Sequence, residues 1–196
     1  LGCYGQQKIK TPNIDRMARE GMLFTQHYSG STVSAPSRSS LLTGLHTGHT
    51  PIRGNQEVKP EGQQPIPAET PTMAQILKTA GYATGAFGKW GLGYPGSEGD
   101  PNMKGFEEFY GYNCQRQAHK YYPEHLYHNQ TRVELPENKN FANKVYLQDL
   151  IHQQAIRFIK DNKNKPFYAY LSYVLPHAEL AGPNDSIMAM YAGKFD

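Results

Sequence analysis

Three short segments carry the residues that could do chemistry. The first is Ser34-Ala35-Pro36-Ser37-Arg38-Ser39-Ser40-Leu41-Leu42-Thr43-Gly44. Pro36 suits the first helical position, Leu41 and Leu42 supply an apolar face and Gly44 a stop, so Ser34 is expected at or just before a helix N-terminus. Unpaired N–H groups and the positive dipole end favour an anion there, and Arg38, one turn in, can add a planar fork of donors. The second segment is Gly88-Lys89-Trp90-Gly91-Leu92-Gly93, whose glycines let the chain turn tightly around an ammonium. The third is Pro176-His177, which ends an apolar run and sets an imidazole at its edge. Taken singly each has an ordinary structural reading: a capped helix, a surface lysine, a histidine after a proline. Together they bring a hydroxyl, two cations and an imidazole. Displacement at a tetrahedral oxyanion ester needs that set, because negative charge spreads over the equatorial oxygens in the transition state.

The elements that must position these groups repeat a pattern of capped helix followed by strand. Thr11 and Pro12 open a helix with Ile14, Met17 and Ala18 on one face and Gly21 as a left-handed stop, and Met22 to Tyr28 follows as a strand candidate. Thr70 and Pro71 open a second helix bearing Met73, Ile76, Leu77 and Ala80, closed by Gly81, with Tyr82 to Phe87 as the next strand. In the third unit Leu147, Leu150, Ile151, Ala155, Phe158 and Ile159 form one stripe, and Phe167 to Leu175 is a nearly continuous apolar and aromatic run. Such a run fits a parallel strand covered on both faces, so the expected class is α/β, a mostly parallel central sheet with helices on both sides. Long irregular regions, His46 to Glu69 and Gly91 to about Asn143, are expected to gather beyond the strand ends, where open α/β sheets bind ligands.

Composition excludes several function classes. With 38% hydrophobic and 19% charged residues, and no apolar run approaching the roughly 18 residues that span a bilayer, neither disorder nor a membrane span is expected. The net charge is +3 with scattered basic residues, which gives no patch for a nucleic-acid backbone. Cys3 and Cys114 stand in no metal-ligand spacing, and His46 with His49 lacks a nearby Cys or carboxylate, so no metal is assigned there. The chain begins with Leu1, so any targeting signal is expected upstream.

The segment from Ser34 to Gly44 resembles the signature of the type I sulfatases, C/S-x-P-S-R-x-x-x-L-T-G. The resemblance continues through Thr47-Gly48-His49-Thr50 with Arg53-Gly54-Asn55, Gly81-Tyr82 with Gly88-Lys89-Trp90, and Pro176-His177. It implies an alkaline-phosphatase-like fold and hydrolysis of sulfate esters by a formylglycine made from Ser34 by a dedicated maturase. In that family calcium and basic residues hold the sulfate. Ser34 is then nucleophile precursor and metal ligand, Arg38 steadies the hydrated aldehyde, and Lys89 and His177 bind sulfate and assist leaving-group protonation. Serine at this position looks like the bacterial serine-type enzymes, exported to the periplasm or beyond; a Cys→Ser replacement is the alternative.

Two departures bear on the site. Many members carry His where this chain has Gly91, and His119 is the candidate substitute, as a substrate-binding residue. The family's paired Asp, Asp-Asn and further Lys ligands would lie outside residues 1–196, so the chain reads as part of the N-terminal catalytic domain, without its first strand and C-terminal portion, and as inactive alone. Tyr121, Tyr122 and Tyr127 suit stacking on a sugar ring, and a sulfated carbohydrate is the expected substrate. A non-catalytic sulfoglycan-binding relic and a phosphoryl or phosphonate hydrolase are the alternatives.

Overall fold

The computed structural model describes residues 1–177, 179 and 181–195. In chain order the helices are α1 (Pro12–Glu20), α2 (Ser34–Thr43), α3 (Met73–Thr79), α4 (Leu147–Asn162) and α5 (Ser186–Ala189). The strands are β1 (Glu57–Val58), β2 (Gly62–Gln63), β3 (Ala83–Lys89), β4 (Glu108–Tyr112), β5 (His125–His128), β6 (Thr131–Glu134) and β7 (Phe167–Ser172). The main sheet has the order β6-β5-β4-β3-β7. Its centre is parallel, β3 pairing with both β4 and β7, and one edge is an antiparallel hairpin, β5 with β6 laid against β4. The sheet is therefore mixed, and the α/β class holds.

Helices cover both faces, and the strand period of two sorts the side chains between them. Phe87 of β3 packs with Leu147, Ile151, Ala155 and Phe158 of α4 in one cluster. Ala86 of the same strand packs with Leu42 of α2, Ala74 of α3, Trp90 and Phe106 in the other. Burial of β3 is complete along all its residues. Helix α3 starts at a full capping box: Thr72 Oγ1 accepts from the Gln75 N–H, and the Gln75 side chain accepts from the Thr72 N–H. Thr72 is also wholly buried and donates to the Lys104 carbonyl at 2.6 Å. Thr72→Ala is expected to lower stability by about 1–2 kcal/mol in denaturant titration, the cost of a lost cap.

The structure corrects several sequence expectations. Met22 to Tyr28 is not a strand. Met22, Phe24 and Tyr28 are exposed, and no strand among the described residues pairs with the segment, so its apolar content has no ladder to join. Gly21 has φ −123° and is no left-handed stop, whereas Gly44 (φ +72°) and Gly81 (φ +82°) are. The second helix starts at Met73, after Pro71, because Thr72 provides the cap. Strand β7 is only partly buried, since it lies at the sheet edge instead of between two strands. The stretch from Gly91 to Asn143 is not plain loop: it holds β4 and the β5–β6 hairpin, closed at Asn129 and Gln130 with Asn129 at φ +53°.

Candidate functional site

The site is built on the end of β3. Lys89 is its last residue, 97% buried at the end of a fully buried strand. Its backbone carbonyl is a meeting point: Arg38 Nη1 donates to it at 2.7 Å from α2, and Ser172 Oγ donates to it at 2.7 Å from β7. The Arg38 guanidinium also reaches the Tyr170 hydroxyl at 3.3 Å, while its Nε donates to Ser34 Oγ at 3.0 Å. One planar fork thus fixes the Ser34 hydroxyl relative to strands β3 and β7, which a flexible ammonium in its place would do less well.

Ser34 is the first residue of α2, after Val33 in extended conformation, and Pro36 stands at the third helical position, not the first. The expected bare N-terminus is partly filled. Asn55 Oδ1 accepts from the Ala35 N–H at 2.8 Å, and Pro36 has no N–H to offer. Side chains, more than backbone dipoles, therefore supply the positive field here.

A cavity of about 290 Å³ is lined by Ser34, Ser37, Arg38, Lys89, Tyr173 and His177 among others. All four residues singled out for chemistry, Ser34, Arg38, Lys89 and His177, border this one hollow. His119 is not in its lining, yet it is next to it: the His119 and His177 rings stack with centroids 4.3 Å apart and planes 25° from parallel. His177 is held in turn by Tyr121, whose hydroxyl accepts from the His177 N–H and whose own N–H donates to the Glu179 carboxylate.

Burial and mutual repulsion set the protonation states. Burial, with the Arg38 charge adding to it, lowers the Lys89 ammonium from its usual range to about 8. His177 is also lowered, by burial first and then by His119, Lys89 and Arg38, so its imidazole is neutral at pH 7 until an anion arrives. An anion entering the hollow meets three groups that gain stability by its charge.

Gly91 shows why no imidazole stands there. It sits at φ +75°, and a Cβ on it would come within 2.1 Å of Gln115 Nε2. The Gln115 amide, donating to the Gly91 carbonyl at 3.3 Å, already fills that space. The segment that carries Gln115 continues into the 3-10 turn Gln117–His119, which delivers His119 to His177 from the other side.

Other expectations are revised. Tyr121 is 98% buried and packed edge-on to Tyr146, so it belongs to the core and not to a sugar-stacking surface. Tyr122 and Tyr127 are half-buried. Calcium does not fit the donor set present: a hard cation takes about six to eight oxygen ligands, whereas the hollow offers hydroxyls beside two cationic side chains and no carboxylate in its lining. Among the described residues no group of three His, Cys, Asp or Glu side chains is placed to hold a metal. No helix of the described residues is long and apolar enough to cross a membrane. Tyr170 and Ser172, which grip Arg38 and the Lys89 carbonyl, were not singled out in the sequence; the signal available was their shared alternation along β7.

Comparison with known proteins follows the same lines. N-acetylgalactosamine-6-O-sulfatase of Bacteroides thetaiotaomicron is 45% identical over 111 residues, 54% of this chain and 20% of that one. The crystal structure of Ps i-CgsB in complex with k-i-k-neocarrahexaose superposes with a TM-score of 0.81 at 29% identity, covering 100% of this chain and 46% of that one. A structure of BT4656 in complex with its substrate D-glucosamine-2-N,6-O-disulfate gives 0.72 at 29% identity, covering 92% and 32%. The chain's matched stretches span about a fifth of the length of the curated relatives. The expected alkaline-phosphatase-like fold is the fold of these sulfatase structures. Because the sulfatase family model matches residues 1–194, the chain belongs to the sulfatase family.

Proposed function

We propose that this chain forms part of the N-terminal catalytic domain of an enzyme that removes sulfate from a sulfated carbohydrate, with Ser34 as the precursor of its nucleophile. The observation that carries the reading is the single hollow bordered by Ser34, Arg38, Lys89 and His177. Sulfatase relatives whose names specify amino-sugar sulfates support the substrate class.

A serine alcohol needs an adjacent base to attack, and what faces Ser34 Oγ is the Arg38 guanidinium, a donor that cannot act as one. That mismatch favours a serine oxidised to formylglycine by a maturase; the modified residue supplies a geminal diol in place of an unactivated alcohol. Arg38 would orient that residue, Lys89 would bind a sulfate oxygen, and neutral His177, with His119 stacked on it, would take the proton lost by the attacking hydroxyl and pass it to the ester oxygen of the leaving alcohol. Export by a bacterial cell agrees with a polymeric glycan substrate.

The test is mass spectrometry of the peptide containing Ser34 from the full-length protein in its source cell, followed by turnover of aryl sulfate and aryl phosphate. Oxidation to the aldehyde removes about two mass units, and sulfate ester turnover should accompany it. An unmodified serine in a protein that binds sulfated glycan without hydrolysing it would mark a non-catalytic relic, and preference for the phosphate ester would move the reading to a phosphoryl hydrolase.

A further inference from the structure

The His119 imidazole has no anchor of its own. It stacks on His177 with centroids 4.3 Å apart, and beyond that stack no side chain among the described residues hydrogen-bonds its ring. Its place is therefore set by the main chain of the turn that carries it, residues 115 to 119. Whatever holds that turn decides where the ring stands.

The holder is the small β1–β2 hairpin, which the mechanism leaves unused. Three consecutive residues of the turn are tied to it. The Gln115 N–H donates to Gln63 Oε1 at 3.0 Å in a buried contact. The Arg116 guanidinium pairs with Glu57 at 2.9 Å and donates to the Pro60 carbonyl at 3.1 Å. Gln117 Nε2 donates to the carbonyl of His125, whose ring pairs with Glu61 at 2.8 Å. The hairpin is itself fixed to the loop after β3. There the Gln63 N–H donates to the Gly93 carbonyl at 3.3 Å, and a Cβ on Gly62 would lie within 2.8 Å of Tyr94. The Gln115 amide closes the circuit by donating to the Gly91 carbonyl at 3.3 Å. One hairpin thus braces both the loop that follows Lys89 and the turn that carries His119.

The three ties are unequal. The Arg116–Glu57 pair is exposed, so it contributes little. The His125–Glu61 pair reaches the turn only through Gln117. Gln63 is 98% buried, and its Oε1 takes a backbone N–H that has no other acceptor among the described residues. Without that oxygen the buried N–H would be left unpaired, and the chain around it would shift to find a partner.

We infer that Gln63 is a positioning residue for the acid–base pair: by holding the Gln115 N–H it seats the turn so that His119 backs His177. The inference rests on the sulfatase reading above and deepens it. After burial, His119 is the next cause of the lowered His177 imidazole. A ring seated there makes protonated His177 a stronger acid toward the oxygen of the leaving alcohol.

The test uses the full-length matured protein with Gln63→Met, which keeps the volume and removes the acceptor, and Gln63→Glu, which keeps an oxygen in that place. Two esters are compared: a sugar sulfate, whose alkoxide leaves poorly without a proton, and a nitrophenyl sulfate, whose phenolate leaves unaided. Gln63→Met should lower kcat/KM about 10- to 100-fold for the sugar ester and less than about threefold for the nitrophenyl ester, since only the first depends on the acid. Gln63→Glu should restore the sugar ester to within about threefold of the parent. A crystal structure of Gln63→Met should show the His119 ring off its stack. A retained stack, or equal losses on both esters, overturns the inference. Arg116→Ala is an exposed change that spares the core and removes a second tie, so it should show the same split more weakly. If Gln63→Met does not fold, absence of that split in Arg116→Ala overturns the inference instead. His177→Ala decides the underlying reading separately: equal slowing of both esters there would end proton transfer by His177, whatever Gln63 does.

Discussion

Lys89→Ala, in the full-length matured protein, is expected to lower kcat/KM for a sulfate ester by about 10²–10³-fold, the usual cost of removing one preorganised donor from developing negative charge. The reason is its setting: 3% exposed, at the end of a strand buried along its whole length, beside Arg38. In such a site the ammonium has little water to screen it, so its field on a bound oxygen is strong.

The same burial makes the effect depend on pH. With its pKa lowered to about 8, Lys89 is charged below that value and neutral above it. Since kcat/KM reports ionisations of the unliganded enzyme, it should fall as pH rises through about 8. A bound sulfate would favour the charged form and move the corresponding limb in kcat upward. Lys89→Ala should lose the alkaline limb as well as the rate. A pH–rate profile that keeps its fall near 8 in the variant would assign the ionisation elsewhere.

Gly88→Ala is expected to damage the frame severely, lowering stability by at least about 2–3 kcal/mol in urea titration and abolishing turnover with it. Gly88 has φ +121°, and a Cβ on it would lie 2.3 Å from the Ser172 carbonyl oxygen. Both objections are to backbone, which cannot step aside as a flexible side chain can. The contact is also where β3 and β7 run in register, Gly88 opposite Ser172. Forcing them apart pulls Ser172 from the Lys89 carbonyl and displaces the Arg38 fork. A variant that melts like the original and retains turnover would show that the strands tolerate the separation.

What the sequence disclosed follows the physics of each element. Helix α4 carries its own signal, an apolar stripe, so it was readable locally; in α3 the cap is Thr72 instead of Thr70, and Met73 and Ile76 stay exposed while Ala74 is buried. Strand β3 was readable because it follows a left-handed Gly81 and its Ala83 to Phe87 stretch is small and mostly apolar. Met22 to Tyr28 has strand composition but no pairing partner among the described residues, and composition cannot report a partner. The β5–β6 hairpin carries a local signal of its own: His125 to His128 and Thr131 to Glu134 flank a two-residue Asn129-Gln130 turn. At the site, residue types and order named the groups bordering the hollow. Partners in the supporting shell, Tyr170, Ser172 and Gln115, became visible only through register and φ/ψ, which depend on distant chain.

The Lys89 carbonyl, on which α2 and β7 both converge, is a main-chain atom. No codon can delete it. Substitution can therefore alter any of the side chains that lean on it, one at a time, while the anchor itself persists through every variant. Only chemistry outside the genetic code can weaken it directly: an ester installed between positions 89 and 90 by ligation would make that oxygen a poorer acceptor and loosen both grips at once.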